Sequence, residues 1–299
     1  VIDMERVTFN GWNDCVRLAN SEVELIITTA VGPRIVRFGF VGEKNMFAEF
    51  DGQQGGSGET EWMIRGGHRL WVAPEEAPLT YELDNGPIEV EAIPNGVRTI
   101  QPIDKLSGIL KTMDITLAAD SNQVKILHTI TNRNDNLVDV APWALTVMAP
   151  DGMEVIPMPA RIPHAARLTH NQEWSIWGYT DFSDPRWTLG PRYIFFRQDR
   201  NRGPNKLGIA HREGWVGYLL DEFLFTKYFT FEEGATYPDA GMNFETFSNE
   251  EMLEVESLGA LVTLEPGEAA SHTERWKLSR GVAHVETEDD ADRFVKPLV

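Results

Sequence analysis

Alternation with a period of two constrains this chain more than any other feature. In "EVELIITTA", Val23, Leu25 and Ile27 alternate with more polar neighbours, and in "RIVRFGF", Val36, Phe38 and Phe40 fall on one side. "KTMDITL" alternates Met113, Ile115 and Leu117 with Thr112, Asp114 and Thr116, and "VKILHTIT" sets Val124, Ile126, His128 and Ile130 on one side. Successive side chains of a strand point to opposite faces, so each run reads as a half-buried antiparallel strand. Turn formers separate the runs: "VGPR", "DGQQGGSGE", "LDNGPIE", "IPNGV", "AADSN" and "TNRNDN". "DNG" and "PNG" suit tight hairpin turns, because Asn and Gly tolerate positive φ. The stretch 52–59 reads as a surface loop. Helical pattern is confined to the tail "EDDADRFVKPLV", where Phe294 and Leu298 are expected to pack on the body.

No repeat or linker divides the 299 residues. The expected fold is all-β, a single domain over 1–299. It is a large antiparallel β-supersandwich of two stacked sheets with few short helices. Residues 157–217 differ, being rich in Pro, Trp, Arg and Asn and holding Trp174, Trp177, Tyr179, Phe182 and Trp187. They read as a loop-rich segment covering the binding face.

Charge and motifs exclude several functions. A formal net charge of −19 argues against nucleic acid or an anionic membrane as partner, since both call for a positive field. No apolar run approaches the ~20 residues of a membrane helix. The opening Val in place of Met allows for a removed leader or tag, so the compartment stays open between cytoplasm and periplasm. The sole cysteine, Cys15, rules out an intrachain disulfide and a Cys-based zinc cluster, and reads as a small buried residue. His164 and His170, six apart, match no common metal spacing. There is neither a phosphate loop nor a Gly-x-Ser-x-Gly elbow. No metal and no cofactor are expected, and the oligomeric state is not set by the sequence.

Several residues carry chemistry. In "RGGHRLW", a glycine pair precedes His68, Arg69 and Trp71. Arg69 offers a planar fork for hydroxyls or a carboxylate. Trp71 offers a face for the apolar side of a sugar ring. Glu245, in "GMNFETFSNEE", shares a strand face with Asn243 and Phe247. A carboxylate in such a place becomes a usable base when partly desolvated. Glu254 and Glu256 share a face read as solvated, with an acid/base pair or a cation site as the alternatives. His272, Glu274, Trp276 and Leu278 share a face marked as buried, where Glu274 is expected to pair with a buried base or with backbone. His128 reads as a satisfied core histidine, and His211 as able to reach a cleft mouth.

Four segments in order resemble the galactose-mutarotase-like superfamily, which includes the aldose 1-epimerases, and within it a bacterial branch. They are "ELIITTAVGPRIVRFGFVGEKNMF", "RGGHRLW", "LHTITNRNDNLVDVAPWALTVMAP" and "GMNFETFSNEEMLEVESLGALVTLEPGEAASHTERWKL". The resemblance implies a carbohydrate-active protein that binds a mono- or oligosaccharide in a concave sheet face. Glu245 falls at the position of the base, and His68 at that of a sugar-contacting histidine that could serve as acid. Arg69, Trp71, Trp143, Trp174, Trp177, His164, His170 and His211 make up the expected sugar-binding set. One departure stands out. The family's central strand usually carries the acid histidine, whereas "PWALTVMAP" has Thr146 and Met148 in that neighbourhood. The alternatives are a non-catalytic carbohydrate-binding protein, or a polysaccharide lyase or hydrolase with Glu254, Glu256 and Tyr179 as candidates.

Overall fold

The alternating runs become strands of two stacked antiparallel sheets in a computed structural model that describes residues 2–299. β1 (Asp3–Phe9), β2 (Trp12–Ala19), β3 (Val23–Ile27), β4 (Ile35–Phe40) and β5 (Gly67–Ala73) lie side by side in the first sheet. β6 (Glu89–Ile93), β7 (Gly96–Ile100), β8 (Ile109–Leu117) and β9 (Gln123–Asn132) form a meander in the second. β10 (Val138–Met148) returns to the first sheet beside β5. β11 (Met153–Pro157) enters the second sheet, and β12 (Trp174–Ile176) lies at the far edge of the first. β13 (Trp187–Leu189) and β14 (Tyr193–Arg197) finish one edge of the second sheet, and β15 (Asn205–Ile209) pairs with β12. β16 (Trp215–Leu220) and β17 (Phe223–Tyr228) form a hairpin in the second sheet. β18 (Phe244–Ser248) and β19 (Leu253–Leu258) fill the first sheet between β15 and β10, and β20 (Val262–Leu264) pairs with the start of β10. β21 (Ala269–Ser279) joins β17 to β9.

The facing sides of the sheets make the main core. Leu25 and Phe38 of the first sheet meet Ile126, Phe225 and Trp276 of the second. Phe38 lies 5.9 Å from the Trp276 ring and 6.2 Å from that of Phe225. Each such side chain contributes roughly 1.5–3 kcal/mol by leaving water. The expected faces of β3, β8 and β9 are all observed, but that of β4 is not quite. Ile26 pairs with Arg37 and Ile27 with Ile35, so the ladder skips Val36. Ile35 therefore joins Phe38 and Phe40 between the sheets, while Val36 packs outside with Trp12 and the buried Cys15.

Three further expectations are refined. "PNG" does close the β6–β7 hairpin, with Asn95 at φ 58°. "DNG" does not form a hairpin: Asp84 pairs with buried Arg34, and Asn85 binds Arg65 and two backbone carbonyls. Stretch 52–59 is tied down, since Gln53 accepts from the Arg65 N–H and Gln54 donates to its carbonyl. Segment 157–217 is not wholly loop, because β12 to β15 run through it. The tail is helical as expected, with a Thr287–Asp290 capping box. It buries Ala291 and Val295, with Phe294 and Leu298 packed alongside.

Candidate functional site

Strand parity decides which side chains meet. Across β5, β10, β19 and β18, Arg69 pairs with Leu145, Leu145 with Glu256, and Glu256 with Glu245. Directly paired residues share a face, and this row points outward. The alternate row runs His68, Thr146, Val255, Thr246 and points toward the second sheet. Glu245 and His68 therefore lie on opposite faces of one sheet. The expected meeting of that carboxylate and that imidazole in one hollow does not occur. Adjacent residues of a regular strand cannot both serve one face, so Arg69 and Trp71 point outward and His68 inward.

The outward row floors a cavity of ≈ 270 Å³. Trp62, Trp71, Tyr81, Trp143, Tyr179 and Phe247 supply its rings, and Glu75, Arg69, Lys206, Glu254 and Glu256 its charges. Arg69 pairs with Glu254 at 3.0 Å and its guanidinium lies 4.1 Å from the Trp71 ring centre. Lys206 Nζ is 2.7 Å from Glu245 Oε2 and 3.4 Å from Glu256 Oε2. Trp143 Nε1 donates to the same Glu256 oxygen at 2.9 Å. Trp177 lies over Gly208, the residue paired with Glu245, and its ring is 4.6 Å from Lys206 Nζ.

Burial sets the electrostatics. It pushes the Glu245 carboxyl well above the usual range, against the pull of Lys206. It also raises Glu256, with Lys206 opposing and Glu254 adding to the rise. Burial works against the Lys206 ammonium, yet Glu256 and Glu245 together hold its pKa above the ordinary lysine value. Both Glu245 oxygens are closed off from solvent, with the Lys206 ammonium beside Oε2. Glu256 differs. Its Oε2 accepts from Trp143 and Lys206, whereas no hydrogen bond reaches Oε1, and the residue lines the cavity. Glu254 and Glu256 are thus not on a solvated face. They sit beneath a layer of rings, and Glu256 is 1% exposed.

His68 and Thr146 of the inward row belong to a polar network between the sheets. His68 Nδ1 is 2.8 Å from Thr146 Oγ1, and its Nε2 is 2.7 Å from His128 Nε2. His128 Nδ1 bonds the His272 carbonyl at 3.0 Å. Ser257 Oγ lies 2.6 Å from both His272 Nε2 and Glu274 Oε1. Glu274 pairs with Lys227 at 2.7 Å and accepts from Trp276 Nε1 at 2.8 Å. Burial depresses His68, His128 and His272, the last to about 3. Burial alone would raise Glu274, but Lys227 holds it well below the usual range. His128 as a core histidine and Glu274 with a buried base are both as expected. His68, His128 and Glu274 are close enough to share a metal ion. Each of their ring nitrogens already has a protein neighbour, however, and Lys227 occupies the carboxylate.

The other expected site residues scatter. Trp174 pairs with Ile209, whose side chain lies between the sheets, so it falls on the inward side at the sheet edge. His164 and His170 are exposed in the loop before β12. His211 is buried against Phe229 and Phe244, away from any cleft mouth, and burial lowers its pKa to about 4. Trp143, Trp71, Trp177 and Arg69 do gather around the outward face. Lys206 was missed. Its signal was a lysine alternating with nothing charged in the apolar run "NKLGIA". A larger opening of ≈ 360 Å³ lies over β8 and the start of β10, but its Lys111–Asp104 pair is closed at 2.8 Å.

The two stacked antiparallel sheets define the class as a large β-supersandwich. No family model matches the sequence, and no curated protein matches it. Solved structures do. A galactose mutarotase-like protein from Lactobacillus casei is 12% identical, with 89% of this chain and 100% of that chain covered and a TM-score of 0.59. A galactose mutarotase related enzyme from Lactobacillus acidophilus is 8% identical, with 91% and 100% covered and a TM-score of 0.58. A galactose mutarotase-like protein from Clostridium acetobutylicum is 10% identical, with 94% and 98% covered and a TM-score of 0.57. The chain has the galactose-mutarotase-like fold. At these identities the likeness is one of fold.

Proposed function

We propose that this chain binds a sugar ring in the outward cavity, and does so without opening it. The supporting observation is one hollow in which indole and phenol rings converge with a carboxylate oxygen that no protein group uses, Glu256 Oε1. Rings suit the apolar face of a sugar, and buried polar groups fix its hydroxyls. The neighbours' names, which speak of galactose mutarotase, agree with a sugar as ligand. On this reading Glu256, rather than Glu245, meets the ligand, and Glu245 acts behind it by sharing Lys206.

Ring opening assisted by an imidazole calls for a histidine facing that carboxylate. All seven histidines are placed: His68, His128, His211 and His272 in the interior, and His164, His170 and His284 on exposed chain. None lines the cavity. Trp143 stands on the central strand there, and its N–H is engaged by Glu256.

Ligand-observed NMR with free aldoses, together with polarimetry of their anomers, tests this reading. Binding with an unchanged anomer-exchange rate is expected. Faster exchange that disappears in Glu256→Gln would make the protein an epimerase that works without histidine. Absence of any binding would remove the cavity as a sugar site.

A further inference from the structure

The outward cavity combines aromatic faces with surplus negative charge. Its acidic side chains are Glu75, Glu254 and Glu256, against the cations Arg69 and Lys206. Arg69 is matched by Glu254 at 3.0 Å. Lys206 is shared, 2.7 Å from Glu245 and 3.4 Å from Glu256. The trio thus sets one ammonium against two carboxyl groups, at 0% and 1% exposure. Like charges held together out of water favour a further cation or a proton. Glu245 is sealed in, while Glu256 lines the hollow and no hydrogen bond reaches its Oε1.

The rings supply a second, independent observation. Arg69 lies 4.1 Å from the centre of Trp71, and Lys206 lies 5.1 Å from that of Trp143. Both cations of the cavity already rest on indole faces, as the ring quadrupole favours. A ligand ammonium would find the same surfaces. A ligand carboxylate or phosphate would find no unpaired cation, and the net charge of −19 would oppose its approach.

We propose that the cavity selects sugars bearing a primary amine, whose ammonium pairs with Glu256 beside the Trp143 ring. The inference rests on the sugar-binding reading above and narrows it to a substrate class. An ammonium favours the ionised form of the trio's second carboxyl group, which a hydroxyl does far less. N-acetylation removes that charge, and a uronate reverses it.

Isothermal titration calorimetry of the full chain at low salt and near-neutral pH tests the proposal. The probes are glucosamine, galactosamine and mannosamine against their neutral parents, with N-acetylglucosamine and glucuronate. At least one amino sugar should bind about tenfold more tightly than its parent, equal to about 1.4 kcal/mol. N-acetylglucosamine should fall to the neutral level and glucuronate below it. In Glu256→Gln the amine-to-neutral ratio should approach one. The comparison in the native chain decides the matter even if that variant does not fold. Equal affinities within every pair, or glucuronate binding most tightly, would overturn the amine preference while sugar binding stands. No binding by any probe would overturn the sugar cavity, and this inference with it.

Discussion

The two faces of β5, β10, β18 and β19 are built from alternate residues of the same strands, yet they hold charge in opposite ways. Inward, the network around His68, His128, His272 and Glu274 closes on itself, and Glu274 has Lys227, Ser257 and Trp276 as partners. Outward, Lys206 serves two carboxylates and Glu256 keeps an oxygen free. A buried polar cluster that satisfies its own members specifies packing. One that leaves a group beside a cavity can meet a ligand there, and on the proposed reading this contrast separates the two faces.

The comparison can be broken in graded steps. Glu274→Ala strips buried Lys227 of its carboxylate partner, so urea denaturation should show a loss of about 3–5 kcal/mol. A loss under ~1 kcal/mol would mean that the inward network does not hold the sheets. Glu154, on β11 and facing Thr246 between the sheets, has neither oxygen bonded, and burial pushes its carboxyl well above the usual range. As pH rises past that range the unfolded carboxyl ionises first, and the native state loses about 1.4 kcal/mol per pH unit until the folded pKa is passed. Glu154→Gln removes that slope. It should match the native protein in acid and exceed it increasingly as pH rises toward neutrality.

The interior histidines work in the other sense. Their folded pKa values lie below the unfolded 6.5, so their contribution is complete above that value and fades as pH falls. Denaturation of the Glu154→Gln variant should therefore reveal falling stability as pH drops below 6.5. On the outward side, Trp143→Phe removes the N–H bonded to Glu256. It should cost about 1 kcal/mol of stability and weaken sugar binding about tenfold, by calorimetry. Smallest of all, His164→Ala and His170→Ala touch only exposed chain. They should stay within about 0.5 kcal/mol in melting experiments and leave ligand affinity unchanged.

The sandwich was legible because period-two patterning survives in almost every strand, from Val23–Ile27 to the His272–Leu278 face. The site was only half legible, and the same periodicity explains why. His68 and Arg69 are neighbours, so a strand must send them apart, and grouping them with Trp71 overlooked the rule that located the strands. Glu254 and Glu256 looked solvated because acidic residues usually are. Only the register against Leu145 and Glu245, with Trp143 across the ladder, puts them under rings. Trp174 and Trp177 differ by three positions, an odd number, and diverge to different sides of the sheet edge. A skipped residue such as Val36 leaves no mark in an apolar run, since every nearby position is oily enough for either side.

Lys227 has a mechanical consequence. It rises from β17 of the second sheet, and its ammonium bonds the Val255 carbonyl of the first at 2.8 Å, with the Ala144 carbonyl at 3.5 Å. Those two carbonyls belong to β19 and β10, the strands that carry Glu256 and Trp143. One lysine thus bolts the two layers against sliding at the point directly beneath the hollow. On the proposed reading, the strands that floor the hollow are thus tied to the second sheet just where a ligand would sit.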